Sequence, residues 1–499
     1  MDGSRRLLRN SIANLARGAS AGLVAVILPA VLVRALPSNV YSAWALVLQI
    51  AAYIAMLDLG LQVGIGRFIA RENARGDDER RNHFFAGGAL LLAVCGMAAL
   101  VATGLLAWAL PVLFPKLTPN LVPECRLAVL LIGGSAAISL PGSAIAAMFV
   151  GLERYGIPAL VLGAGRLIQI GLTSWVAVAT HDLVQVSIAY ASSNVLMQVA
   201  YLVLLRRSLP SLRVGRNNFR RDVIGELAHY CANLSVWNLS MFLVYGLDTA
   251  IVAEIDFRTV APYSICTNLM AVFVGFMGSS FNVLISRTSA LDGQGEHRAV
   301  GQLLVLASSI CTRMLLAIGM IAALWATPLF RAWIGPEIGA AAMPFFWILM
   351  VANGLRLLFV PYATVLMGTG EHKWGMIANL SEGITNLIAS VLLGRAFGPI
   401  GVAYGTLVGA AVGVVVAILV TFPRAVRIEC SRNEYLMDGL VRPSAAFLPL
   451  TLAVCWHLRQ QTTLSFGGLA VGLVLSVLWL THAHPLWGRF MKKMGISRV

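Results

Sequence analysis

The sequence predicts an all-α polytopic membrane protein of about fourteen spanning helices: two parallel six-helix lobes followed by two extra C-terminal helices. Three observations lead there. Of the 499 residues 58% are hydrophobic and only 12% charged, with mean hydropathy +0.80, whereas a soluble domain carries about 25% charge. The apolar residues fall in runs of about 20, long enough to cross a hydrocarbon core of about 30 Å as a helix. The chain also repeats itself. Ala13-Asn14-Leu15 returns as Ala232-Asn233-Leu234, 219 positions later. Val63 and Val283, Ile65 and Ile285, and Arg67 and Arg287 are each 220 apart. One match is weak; the near-constant offset marks a duplicated, two-lobed transporter.

The spans follow in order. The first, 12–33, begins after Arg5, Arg6 and Arg9 and is too long for a secretory signal. Spans 40–62, 84–110, 125–150, 157–179 and 183–205 complete an N-lobe over residues 1–212. An Arg-rich connector, Arg206 to Arg221, leads to spans 228–253, 260–285, 300–326, 341–367, 374–394 and 398–422, a C-lobe over 213–430. Six is even, so both lobes begin on one side of the membrane and are parallel repeats. Spans 440–458 and 463–482, with a basic tail, fill 431–499. Backbone groups must be satisfied within lipid, and unbroken apolar runs exclude the alternating pattern of a barrel.

A formal charge of +15 raises nucleic acid as a partner, but its distribution rejects that. With the amino terminus inside, the inner segments hold 25 Lys and Arg and the outer loops 7. Such a bias places both termini in the cytoplasm. Seven cysteines show no CxxC and no zinc spacing, so they read as small core residues. No P-loop is present, and no extramembrane stretch exceeds about 25 residues. The chain reads as a transporter without a cofactor or a catalytic centre, not an enzyme.

Leu57-Asp58-Leu59-Gly60-Leu61, then Arg67-Phe68-Ile69-Ala70 and Arg75-Gly76-Asp77, resemble the early signature of Wzx-type polysaccharide-transport flippases of the MOP exporter superfamily. Val40-Tyr41 and the Gly151-Leu152-Glu153-Arg154-Tyr155 turn are similar too. The resemblance spans helices one to twelve. It implies a MATE/MOP-like fold, alternating access and an undecaprenyl-pyrophosphate-linked oligosaccharide as cargo for exopolysaccharide, capsule or O-antigen synthesis. It further implies a monomer in the bacterial inner membrane beside polysaccharide polymerase and export machinery. Proton or sodium coupling is compatible but not required. A cation-coupled multidrug exporter and a lipid II flippase are the alternatives within the superfamily; a membrane glycosyltransferase or polymerase would need a large outer loop, which is missing.

Charges at membrane depth cost several kcal/mol unless paired or hydrated, so they mark candidate sites. Arg166, Arg313 and Arg356 fall near mid-depth of their spans. A guanidinium binds phosphate oxygens bidentately and keeps its charge, which suits a pyrophosphate. Arg17 shares a face with Asn14 near the cytoplasmic end of helix one, and Asn233 is the repeat of Asn14. Glu226, His229, Asn233, Ser240 and Asp248 follow helical steps through helix seven, a polar stripe expected to face water or the partner lobe. Asp248 is a candidate for a coupling ion or an Arg. Glu382, flanked by Asn379 and Asn386, is another, for a cation or for holding Arg356. Asp58 and Arg67, near the cytoplasmic end of helix two, read as structural.

Overall fold

The computed structural model describes residues 22, 24–209, 219–460, 471–474 and 476. Asn14, Arg17 and most of the span expected at 463–482 lie outside the described residues. The described residues are mostly helical, with no strand among them. Eleven helices are long and apolar enough to cross a membrane, and Val24–Ala35 is a shorter apolar helix. The chain is a multi-pass membrane protein with the expected all-α architecture.

We label the helices α1 (Val24–Ala35), α2 (Ser38–Ala55), α3 (Leu61–Arg75), α4 (Asp78–Leu113), α5 (Val122–Gly151), α6 (Gly156–Thr180) and α7 (Leu183–Ser208). There follow α8 (Arg221–Tyr245), α9 (Asp248–Ile255), α10 (Val260–Phe281), α11 (Val283–Gly293), α12 (His297–Ile334) and α13 (Pro336–Leu357). The last are α14 (Val360–Gly368), α15 (His372–Phe397), α16 (Pro399–Val416) and α17 (Arg432–Trp456). The duplication is visible in this order. Leu61 and Val283 open α3 and α11, 222 apart; Asp78 and His297 open α4 and α12, 219 apart. α4 has 36 residues and α12 has 38.

Several expected spans are broken helices. α2 passes through a 3-10 turn at Met56–Asp58, and both Leu59 (φ 51°) and Gly60 (φ 76°) are left-handed before α3 begins. The run therefore continues to Arg75, and Asp58 lies inside it rather than near its end. α8 ends at Tyr245 and Asp248 opens α9, so the stripe expected from Glu226 to Asp248 is not one continuous face. α13 stops before α14, whose first turn carries Pro361. Proline lacks the N–H that the previous turn would receive and is tolerated at a helix start. Pro141, 220 positions earlier, instead sits inside the unbroken α5.

The chain forms two compact units. Unit 1 is Met1–Leu269 with Ser390–Ala403; unit 2 is Met270–Ala389 with Tyr404–Val499. In unit 1, Ile65, Phe68, Phe84, Ala144, Met148 and Leu227 belong to one core built from α3, α4, α5 and α8. Small residues let these helices approach: a Cβ on Gly88 would fall 2.4 Å from the Ile65 side chain. Unit 2 has its own core, in which Phe422 and Tyr435 stack at 5.0 Å beside Tyr362.

Candidate functional site

Unit 1 holds two cavities that share a wall. The larger, about 520 Å³, is lined by Asp58, Gln62, Ser139, Ser143, Arg166, Tyr190, Asn194 and Gln198 among apolar neighbours. The smaller, about 300 Å³, is lined by Trp44, Gln49, Arg166, Tyr190, Ser264, Thr267 and Asn268. Arg166 and Tyr190 belong to both. Volumes of this size suit a small-molecule headgroup.

Arg166 is held by a relay of amides. Its Nη1 donates to Gln169 Oε1 at 2.7 Å. Gln169 Nε2 donates to Asn194 Oδ1 at 3.0 Å and to the Tyr190 carbonyl at 3.3 Å. Asn194 Nδ2 donates to Ser135 Oγ at 3.1 Å. Gln169 is fully buried, so α5, α6 and α7 fix one edge of the guanidinium. Gly165 permits this closeness: a Cβ there would lie 2.3 Å from Met197 on α7. Among the described residues no carboxylate lies within 4.0 Å of Arg166. An orienting relay without a counter-ion leaves donor capacity for an anion in the cavity.

Asp58 shares the larger cavity. Its Oδ1 accepts the Gly60 N–H at 2.9 Å, a side-chain turn that stabilises the left-handed break. Beside it, Gln198 Oε1 is buried without a hydrogen-bond partner, and a Cβ on Gly142 would sit 1.8 Å from that oxygen. Asp58, Gln62, Tyr190, Asn194 and Gln198, which line the larger cavity, and Gln169, which orients Arg166, were not singled out from sequence for these roles. Only the Arg166 charge at depth carried a signal; amides at ordinary helical spacing do not.

Elsewhere the expected residues are distributed differently. In unit 2, Arg356 Nε donates to Glu382 Oε1 at 2.5 Å, and Nη1 donates to Asn353 Oδ1 at 2.7 Å. The two side chains are 11% and 6% exposed. Gly413 makes the room, since a Cβ there would meet Glu382 at 3.0 Å. Arg313 is half-buried on α12. Neither arginine lines the two cavities of unit 1. Asp248 is buried and accepts from Tyr263 Oη at 3.4 Å and Ser390 Oγ at 3.5 Å. Glu226 takes Arg71 at 2.9 Å and Arg80 at 3.3 Å, which ties α8 to α3 and α4. Asn233 belongs to α8, but its side chain, like Asn14 and Arg17, lies outside the described residues.

No protein-family model and no curated protein matches the sequence. Solved structures match the fold. The chain has the helical architecture of MATE/MOP transporters. It is similar to an inward-facing multidrug resistance MATE family transporter of the MOP superfamily, with TM-score 0.65 and 16% identity over 86% of this chain and 98% of that one. It is similar to the lipid II flippase MurJ in an inward closed conformation, with TM-score 0.69 and 12% identity over 98% of this chain and 99% of that one. A third match is a MOP superfamily transporter from Pyrococcus furiosus whose binding pocket is described as having reverse polarity. Its TM-score is 0.56 and its identity 16%, over 82% of this chain and 94% of that one.

Proposed function

We propose that this protein is a flippase that carries a pyrophosphate-linked oligosaccharide headgroup through the cavities of unit 1 while the prenyl tail stays in lipid. The observation that carries the reading is Arg166, which lines both cavities, is oriented by Gln169 and has no carboxylate partner among the described residues. The guanidinium would take a phosphate, and the surrounding amides, hydroxyls and Tyr190 suit sugar hydroxyls. The match over nearly the full lengths of this chain and the lipid II flippase supports a flippase rather than a small-solute exporter. Arg17, Asn14 and Asn233 remain proposed contacts at the cytoplasmic mouth, Arg313 and Arg356 proposed contacts in unit 2. Proton or sodium coupling through Asp248 is compatible with this scheme.

The test is leaflet exposure of an undecaprenyl-linked sugar in reconstituted vesicles. Arg166→Gln should abolish exposure while Gln169→Ala weakens it. Unchanged exposure in folded Arg166→Gln overturns the cavity assignment. A second reading, export of a cationic solute, is favoured by Asp58 in the same wall. It requires that Asp58→Asn abolish efflux of a cationic dye that the parent protein moves.

A further inference from the structure

We infer that the end of unit 1 opposite its arginine-rich end carries a separate phosphate-binding pocket. It has a volume of about 610 Å³ and is lined by Asn39, Lys116, Thr118, Asp256 and Arg258 with apolar Ile255 and Phe257. Three structural elements meet there: the first turn of α2, the link between α4 and α5, and the 3-10 turn Phe257–Thr259.

Two cations and one carboxylate line it. Lys116 and Arg258 form no ion pair within 4.0 Å among the described residues. The carboxylate in the wall is already engaged, because Asp256 Oδ1 accepts the Arg258 N–H at 3.1 Å and Oδ2 accepts the Thr259 hydroxyl. It caps its own turn and forms no ion pair within 4.0 Å with either cation among the described residues. α2 is an 18-residue helix whose N-cap, Pro37, supplies no side-chain cap. The N–H groups of its first turn are therefore unsatisfied within the helix, and they carry the positive end of the dipole beside Asn39. Two cations from separate elements, an uncapped helix start and a polar amide converge on one hollow. That is the chemistry of a phosphate or pyrophosphate.

Cations are scarce at this end. The described residues of unit 1 there carry Arg34, Lys116, Arg126, Arg258 and Arg395, against Arg67, Arg71, Arg75, Arg80, Arg81 and others at the opposite end. The positive-inside rule disfavours cations at an outer face. Two of the few meeting in one pocket marks it as a site and not a topology signal. The phosphate belongs either to an anionic lipid headgroup or to a water-borne or cargo pyrophosphate.

The full-length protein in phosphatidylcholine nanodiscs is treated with an amine-reactive acylating reagent, and Lys116 is followed by mass spectrometry with Lys373 as internal control. Inorganic pyrophosphate should slow acylation of Lys116 about fivefold, as expected when two cations share a phosphate, without changing Lys373. If phosphatidylglycerol in the nanodisc slows it as well, the source is a lipid headgroup. If only pyrophosphate does, the source is not the bulk lipid. Protection should disappear in Arg258→Gln, and in Asn39→Asp, which puts a carboxylate into the pocket. The inference is overturned if neither phosphate slows the reaction, or if protection persists unchanged in both variants.

Discussion

Gln49 donates its side-chain amide to the main-chain carbonyl of Gly246 at 3.0 Å, where α8 breaks before α9. The favour is returned: Ser235 of α8 donates to the Leu59 carbonyl at 3.2 Å, where α2 breaks before α3. Each broken helix thus satisfies a carbonyl that the other's break exposes. Within a membrane no water supplies that bond, so a break persists only where protein does. Replacing Gln49 by Leu leaves the buried Gly246 carbonyl unmet and should cost about 1–3 kcal/mol. A thermal unfolding midpoint in detergent that equals the parent's would contradict it.

The Arg356–Glu382 pair makes a second stability prediction. Both groups are buried, so removing either one strands a charge and should cost about 3–5 kcal/mol. Replacing both, Arg356→Met with Glu382→Leu, should be milder than either single change. A double-mutant cycle by thermal unfolding reads this directly; additive losses would show that the pair is not coupled.

Gly142→Ala tests the cavity without touching a charge. The new methyl would collide with the Gln198 amide, the far end of a flexible side chain, and push it out of its present position against α5. Transport should fall severalfold while the unfolding midpoint moves by less than about 1 kcal/mol equivalent, below the usual cost of core overpacking. A large loss of stability with normal transport would be the contrary result.

Cys430 gives a pH prediction. It lies between α16 and α17, outside the apolar spans, and burial, then the Glu434 carboxylate, push its thiol up to about 12. Only the thiolate reacts, so at pH 8 about one molecule in ten thousand is competent. Alkylation of Cys430 should rise about tenfold per pH unit from 8 to 11 without a plateau. A plateau near pH 9 would mean an ordinary, accessible thiol.

The fold was legible because it is written in averages: runs of about 20 apolar residues and an offset of 219–220 survive any local irregularity. What averages hide are breaks. Nothing in Leu57-Asp58-Leu59-Gly60-Leu61 distinguishes a helix end from a mid-run interruption, so Asp58 read as a structural carboxylate near a membrane face. The left-handed Leu59 and Gly60, with α3 continuing to Arg75, set it in the wall of a cavity beside Arg166. The same blindness joined Asp248 to the stripe of α8. Arg356 and Glu382, 26 residues apart on different helices, were legible as a candidate pair because unmatched charges at depth seek each other. The relay through Gln169 and Asn194 was not, since neutral amides on a helix carry no such compulsion.

The lengths of α4 and α12 have a physical consequence of their own. At 1.5 Å per residue their 36 and 38 residues extend about 54 and 57 Å, nearly twice the hydrocarbon thickness. Each repeat therefore contains a rod longer than the slab it crosses. Such a rod meets the bilayer by tilting or by carrying its ends past the slab, so a few ångströms of extra thickness are taken up by a smaller tilt, where a helix of 20 residues would have to thin the lipid. Activity should be nearly indifferent to acyl-chain length, which fits the two rods for work in membranes of changing composition.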